Sequence, residues 1–177
     1  MWLLHDVQIE DLKDDRLLRF FEASVAAGKV GVFGVGTGAE KIAGLFASRP
    51  AYCKVLQFEW SILDEALPES AAFRIHHRSL TNRFRQLNEE LVSHPAMSKA
   101  WSQRIGADLA EEGKLAALML RGSLLFNPAS IVLFSSKREK HIRANGVYAN
   151  DGSLNSAARR LHELVRAYKP FQLAGLT

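Results

Sequence analysis

Short apolar runs alternate with amphipathic stretches along this chain, and the alternation repeats about five times. Trp2-Leu3-Leu4 is an apolar run ending at His5-Asp6. Leu17, Phe20, Phe21 and Val25 fall on one face of a helix over roughly Asp14 to Ala27, with Gly28 as its stop. Val30–Val35 is β-rich and breaks at Gly36-Thr37-Gly38. Thr37 with Glu40 reads as a capping box for a helix striped by Ile42, Leu45 and Phe46, which Pro50 ends. Val55–Trp60 is the next strand, interrupted by the polar Gln57, with a marginal helix somewhere in Ser61–Leu67. Phe73–His77 is a fourth strand, leading to Arg78-Ser79-Leu80. Asn82 to Phe126 reads as mostly helical, broken near His94-Pro95 and at Gly113. Ile131–Phe134 is the fifth strand, and a terminal helix from Ser153 to Tyr168 turns Leu154, Leu161, Leu164 and Val165 inward.

Strand–helix repeats with apolar, β-branched strands imply a parallel sheet covered by helices, an α/β fold. In such sheets ligands bind at the carboxyl ends of the strands. The unusual polar residues cluster there: His5, Gly36-Thr37, Gln57, His77-Arg78 and Ser135-Ser136-Lys137. The last set is the most telling. Ser136 and Glu139 fit a capping box, which puts Lys137, Arg138 and Lys140 on the first turn of a helix. Cations are disfavoured at that end by the helix dipole, so their presence suggests an anion receptor, most naturally for phosphate. The plainer alternative is a solvated charged turn.

Composition narrows the function classes. With 177 residues and 47% hydrophobic content, the chain can bury a real core as one domain. Its net charge of +4, from 23 basic and 19 acidic residues, is a mild excess. No basic tract is interleaved with aromatics, which argues against nucleic acid as the main partner. Cys53 is the single cysteine, so an internal disulfide is excluded and a reducing cytoplasm is expected. No apolar stretch approaches the roughly 20 residues that cross a bilayer. The start, Met1 to Asp6, is too short an apolar run for a signal peptide.

The order of units resembles the C-terminal half of an aldo/keto reductase. The matching pieces are Leu3-Leu4-His5, Ala27-Gly28-Lys29-Val30 running into Phe33-Gly34-Val35-Gly36, Val55 through Ser61, and His77-Arg78-Ser79-Leu80. The longest runs from Asn127-Pro128 through Lys137 to His141-Ile142-Arg143-Ala144-Asn145. Members of that family are (β/α)8 barrels that reduce aldehydes and ketones with NADPH. The resemblance therefore implies a partial TIM-type barrel of about five parallel strands, NADP(H) as cofactor and a small-molecule carbonyl substrate. His5 falls where the family has the histidine that orients the carbonyl. Gln57 falls at the glutamine that holds the nicotinamide carboxamide, and His77 or Arg78 lies near the residue beside the nicotinamide ring. Ser135, Ser136 and Lys137 occupy the pyrophosphate and 2′-phosphate region, and His141 and Asn145 match positions at the adenosine end.

Departures from the family pattern matter equally. A complete (β/α)8 barrel takes about 250 residues, and the first three strand–helix units, with the family's catalytic tyrosine, aspartate and lysine, have no counterpart here. Tyr52, Tyr148 and Tyr168 all stand away from the carboxyl end of a strand. Carbonyl reduction needs a proton donor within hydrogen-bond reach of the oxygen, so turnover by one isolated chain is not expected. Gly36 and Thr37 replace the family's serine and asparagine. A related reading is that the coding sequence continues upstream and Met1 is internal. Five strands of eight leave two open edges and an apolar inner face, which implies a homo-oligomer or a partner chain that covers them. The alternatives are a non-catalytic NADP- or phosphate-binding module, or an interaction protein working through the helices of Asn82–Phe126.

Several residues carry plainer readings. His76 and His77 are neighbours on a strand and face opposite sides, so they do not make a metal pair. Cys53 is an inert thiol with no neighbouring base. Gly34, Gly36 and Gly38 lack the third glycine of the dinucleotide fingerprint and read as turn glycines. Arg83 and Arg85 are surface charges after the fourth strand.

Overall fold

The structure, a computed structural model, describes residues 1–65 and 70–168. Five strands form one sheet in the order β1 (Trp2–His5), β2 (Phe33–Gly36), β3 (Val55–Glu59), β4 (Phe73–His77) and β5 (Ser130–Val132). Neighbours from β1 to β4 run parallel. The α-helices are α1 (Asp15–Ala26), α2 (Ile42–Ser48), α3 (Asn82–Ser93), α4 (Pro95–Ile105), α5 (Lys114–Leu125), α6 (Glu139–Asn150) and α7 (Asn155–Ala167). Two compact units result: Met1–Glu59, Ala66–His77 and Ala129–Ile131 form the first, and Trp60–Glu65, Arg78–Pro128 and Val132–Thr177 the second. Among the described residues no helix is long and apolar enough to cross a membrane.

The first unit is built on the sheet. Asp14 starts α1 by accepting the Arg16 amide at 2.9 Å, and Gly28, at φ 68°, ends it. Alternation along the strands puts Trp2, Leu4, Phe33, Val35, Leu56 and Phe58 on one side. There Phe21 of α1 stacks on Phe33 at 5.0 Å, and Tyr52, in the 3-10 turn Pro50–Tyr52, meets the same ring edge-on at 5.9 Å. Burying rings of this size contributes on the order of 1.5–3 kcal/mol each. Both connections thus cover the same side, as right-handed crossovers without reversal of strand order require. The other side carries Leu3, His5, Gly34, Gly36, Val55, Gln57 and Ile75. Gly34 is dictated by the ladder: a Cβ there would sit 2.0 Å from the Val55 carbonyl oxygen.

The second unit is helical. Its centre is α5, buried over Leu115, Ala117, Leu118, Met119 and Leu120, and it packs with α3, α6 and α7. Helix α7 buries Ala157, Ala158, Leu161, Leu164 and Val165, a stripe at helical spacing. The predicted breaks at His94-Pro95 and Gly113 are present, and Gly106, at φ 75°, adds another between α4 and α5. There Arg160 donates to the Ile105 carbonyl at 2.9 Å, satisfying an end of α4.

Local chemistry overrode four expectations. Residues 61–65 of the marginal helix form a turn instead, because Asp64 Oδ2 accepts the Ser61 amide at 2.7 Å and Ser61 Oγ accepts the Leu63 amide at 3.2 Å. The remainder of that segment, 66–67, lies outside the described residues. Neither capping box forms. Thr37 Oγ1 donates to the Val7 carbonyl at 3.3 Å, and α2 is entered through a 3-10 turn (Ala39–Lys41) behind Gly38. Ser136 Oγ accepts the Arg138 amide at 3.1 Å, making Arg138 the N-cap of α6, while Glu139 turns to Arg143 at 2.6 Å. Lys137 and Arg138 therefore precede the helix rather than occupy its first turn. Only Lys140 lies there, paired with Glu112 at 3.3 Å. Finally, α7 begins at Asn155, after a 3-10 turn (Gly152–Leu154) that Asp151 caps through the Ser153 amide at 2.9 Å.

Candidate functional site

At the carboxyl ends of the first strands, the register aligns three of the singled-out residues. His5 pairs with Gly36, Gly36 with Gln57, and Gln57 with Ile75, so the four stand in one row across β1 to β4. Residues in one row project from the same side of a parallel sheet. With neighbouring strands about 4.8 Å apart, His5 and Gln57 flank Gly36 at a separation of about 10 Å. His5 is exposed, Gln57 half-buried and Gly36 buried. The side-chain amide of Gln57 makes no hydrogen bond among the described residues. Its oxygen can accept and its NH2 group can donate.

Gly36 itself is unforced. Its φ lies outside the left-handed region, and an added Cβ would meet nothing nearer than the Leu4 carbonyl oxygen at 3.6 Å. Neither backbone conformation nor packing asks for glycine at this position. Gly36, itself buried, lies in the row between His5 and Gln57.

The backbone around this row is pinned. The Asp6 amide donates to the Gly36 carbonyl at 2.7 Å, and the Thr37 amide donates to the Gln57 carbonyl at 2.9 Å. The Thr37 hydroxyl is committed to the Val7 carbonyl, so it holds the loop after β1. On β4, His76 and His77 separate as alternation requires. His76 is fully buried and meets the Phe58 ring edge-on at 4.9 Å, on the helix-covered side. His77 faces the side of Gln57, half-exposed, with Glu59 as its register partner. Among the described residues no group of three His, Cys, Asp or Glu side chains could hold a metal.

Backbone strain marks two positions that sequence reasoning did not single out for it. Asp6 at φ 51° and Arg78 at φ 59° are the described non-glycine residues with positive φ. Each directly follows a candidate histidine, His5 or His77. Such conformations cost on the order of 1–3 kcal/mol and concentrate at functional turns. Aspartate tolerates the left-handed region, which is a faint signal for Asp6. Arg78, whose carbonyl accepts the Thr81 hydroxyl at 2.9 Å, offers no such signal.

The remaining candidates lie in the second unit, before and along α6. Ser135 and Lys137 are exposed and Ser136 is half-buried. Ser136 Oγ lies 3.5 Å from His141 Nδ1, and Asn145, buried, follows one helical turn later. The rim is therefore a local cluster of Ser136, Lys137, Arg138 and His141 in which the cations stand outside the helix. Of the side readings, Cys53 is buried, its thiol directed at the Arg49 carbonyl at 3.6 Å, and burial pushes its pKa up, away from nucleophilic use. Arg83 pairs with Asp64 at 2.8 Å and is only partly exposed, so it is not a free surface charge. Against known proteins, the chain matches no family model, and no curated relative matches its sequence.

Proposed function

We propose that this chain is an aldo/keto-reductase-like NADP(H)-binding protein, its sheet the wall of a partial (β/α)8-type barrel. In this reading it does not complete carbonyl reduction as an isolated chain. The observation that carries it is the single row of His5, Gly36 and Gln57 across the carboxyl ends of β1, β2 and β3. A nicotinamide carboxamide is planar, with one donor and one acceptor group, which suits the Gln57 amide beside Gly36. His5 then stands beside the carbonyl substrate. The unreversed strand order favours a barrel wall, because doubly wound sheets reverse order at their centre. The family resemblance alone assigns Ser135, Ser136 and Lys137 to the phosphates and His141 and Asn145 to the adenosine end. The same resemblance assigns His77 or Arg78 to the position beside the ring.

The same residues argue against turnover. Reduction needs a proton donor at the carbonyl oxygen, and none of the described tyrosines stands at the carboxyl end of a strand. Tyr52 is buried against Phe33 on the helix-covered side, Tyr148 lies in α6, and Tyr168 donates to Glu90.

Fluorescence titration of the full chain with NADPH and NADH tests the proposal. NADPH binding is expected, weakened by about 1–2 kcal/mol in Gln57→Ala, the worth of one or two hydrogen bonds. Lys137→Ala should weaken NADPH by about 1 kcal/mol, roughly fivefold, because the site is exposed and screened, and should leave NADH nearly unchanged. Absence of NADPH binding, or equal affinities in all three proteins, overturns it.

A further inference from the structure

Among the described residues, the outer edge of β1 is an open hydrogen-bonding surface flanked by exposed aromatic rings. The Trp2 amide donates to the Val32 carbonyl at 3.0 Å and the Asp6 amide to the Gly36 carbonyl at 2.7 Å. In a parallel ladder alternate residues face the neighbouring strand, so Leu3 and His5 direct their N–H and C=O groups away from β2. Proteins usually protect such an edge with lysine, proline or a bulge. Trp2-Leu3-Leu4-His5 contains none of these. Beside it, Trp2 is 47% exposed and Phe20 of α1 is 55% exposed, their rings stacked at 6.2 Å. Phe20 also meets the buried Phe21 at 5.6 Å, so the patch is an outcrop of the core aromatic cluster.

We propose that this edge is a self-association surface, and that its occupant is the β1 strand of a second copy of this chain. A two-fold axis necessarily makes the paired strands antiparallel and the contact self-complementary. With Leu4 on the axis, Leu3 of one copy exchanges both backbone hydrogen bonds with His5 of the other, and His5 with Leu3. All four outward-facing donor and acceptor sets are then satisfied with no other sequence required. Leu4 meets its own copy at the centre, and the Trp2–Phe20 patches lie to either side. Four paired residues and four rings, counted over both copies, bury less than about 1,200 Å² in total, which is the size of weak, transient interfaces. A weak association is therefore expected, and through this contact it closes at the dimer, since both β1 edges are consumed. It does not rest on the cofactor reading, because the backbone of β1 and the Trp2 side make the contact.

Sedimentation equilibrium on the full chain between about 1 and 200 μM, a span that brackets a micromolar Kd, tests this. The average mass should rise from one chain toward two and stop there. Phe20→Lys, on an exposed helix position, should raise the dimer Kd at least tenfold with an unchanged circular dichroism spectrum. Leu3→Pro, which deletes an outward N–H that β2 does not use, should do the same. A monomer throughout, an open-ended polymer, or a dimer unaffected by Phe20→Lys overturns the proposal.

Discussion

Gly34 and Gly36 stand two residues apart on one strand, face the same side, and should respond to alanine in opposite ways. A Cβ at Gly34 would lie 2.0 Å from the Val55 carbonyl oxygen, 2.7 Å from its carbon and 2.8 Å from Val55 Cβ. The clash is with backbone, so no rotamer change relieves it, and β2 must move by about 1.5 Å from β3 to reach ordinary van der Waals separation. Overpacking of this kind costs about 1–3 kcal/mol. Each ladder hydrogen bond lost in the displacement adds about 0.5–1.5 kcal/mol. Gly34→Ala should therefore lose some 3 kcal/mol or more, a large share of the 5–15 kcal/mol typical of a domain. Gly36→Ala should be neutral or gain up to about 1 kcal/mol, since its Cβ has room and alanine loses less backbone entropy on folding. Yet its methyl would project between His5 and Gln57, and NADPH affinity should fall. Urea unfolding followed by circular dichroism, with NADPH titration on the same samples, separates the two effects. The reasoning fails if Gly34→Ala is within about 0.5 kcal/mol of the parent, which is the ordinary range for a harmless surface change. It fails equally if Gly36→Ala is as damaging as Gly34→Ala.

Two further outcomes follow from buried polar groups. The Tyr52 hydroxyl finds no hydrogen-bond partner among the described residues, and burial raises its pKa, so Tyr52→Phe should be neutral or stabilising by up to about 1 kcal/mol in a thermal melt; a clear loss of stability would reveal a partner. His162 lies against Phe126 with ring centroids 4.1 Å apart, its Nδ1 3.2 Å from the Ile62 carbonyl, and desolvation holds its pKa below the ordinary 6.5. The folded chain then binds fewer protons than the unfolded one as pH falls below about 6.5, so stability is full at neutral pH and declines on acidification. His162→Gln should flatten that decline in unfolding measurements between pH 7 and 5, and an unchanged slope would contradict the assignment.

Much of the architecture was legible in residue order. Apolar runs and Gly28, with its left-handed conformation, marked β1, α1, β3 and β4 to within a residue, whereas β2 starts at Phe33, three residues after the β-rich run does. Capping was legible only in part. Asp14 caps as a cap should, but Thr37 and Ser136 had competing acceptors and donors nearby, and the three-residue spacing alone cannot rank those partners. The break at Gly106 was missed since an isolated glycine inside a helical pattern is often tolerated.

Side-chain periodicity and intrinsic conformation suffice for the existence of five strands, their α/β character and the polar residues near their ends, although the fifth, expected at Ile131–Phe134, is Ser130–Val132. That His5, Gly36 and Gln57 stand in one row, that Gly34 is forced while Gly36 is free, and that Asp6 and Arg78 turn left-handed after the two histidines emerges from the folded chain alone. Register and close approach are relations between strands distant along the chain, and a one-residue slip would have put the same side chains on opposite faces without altering any local pattern.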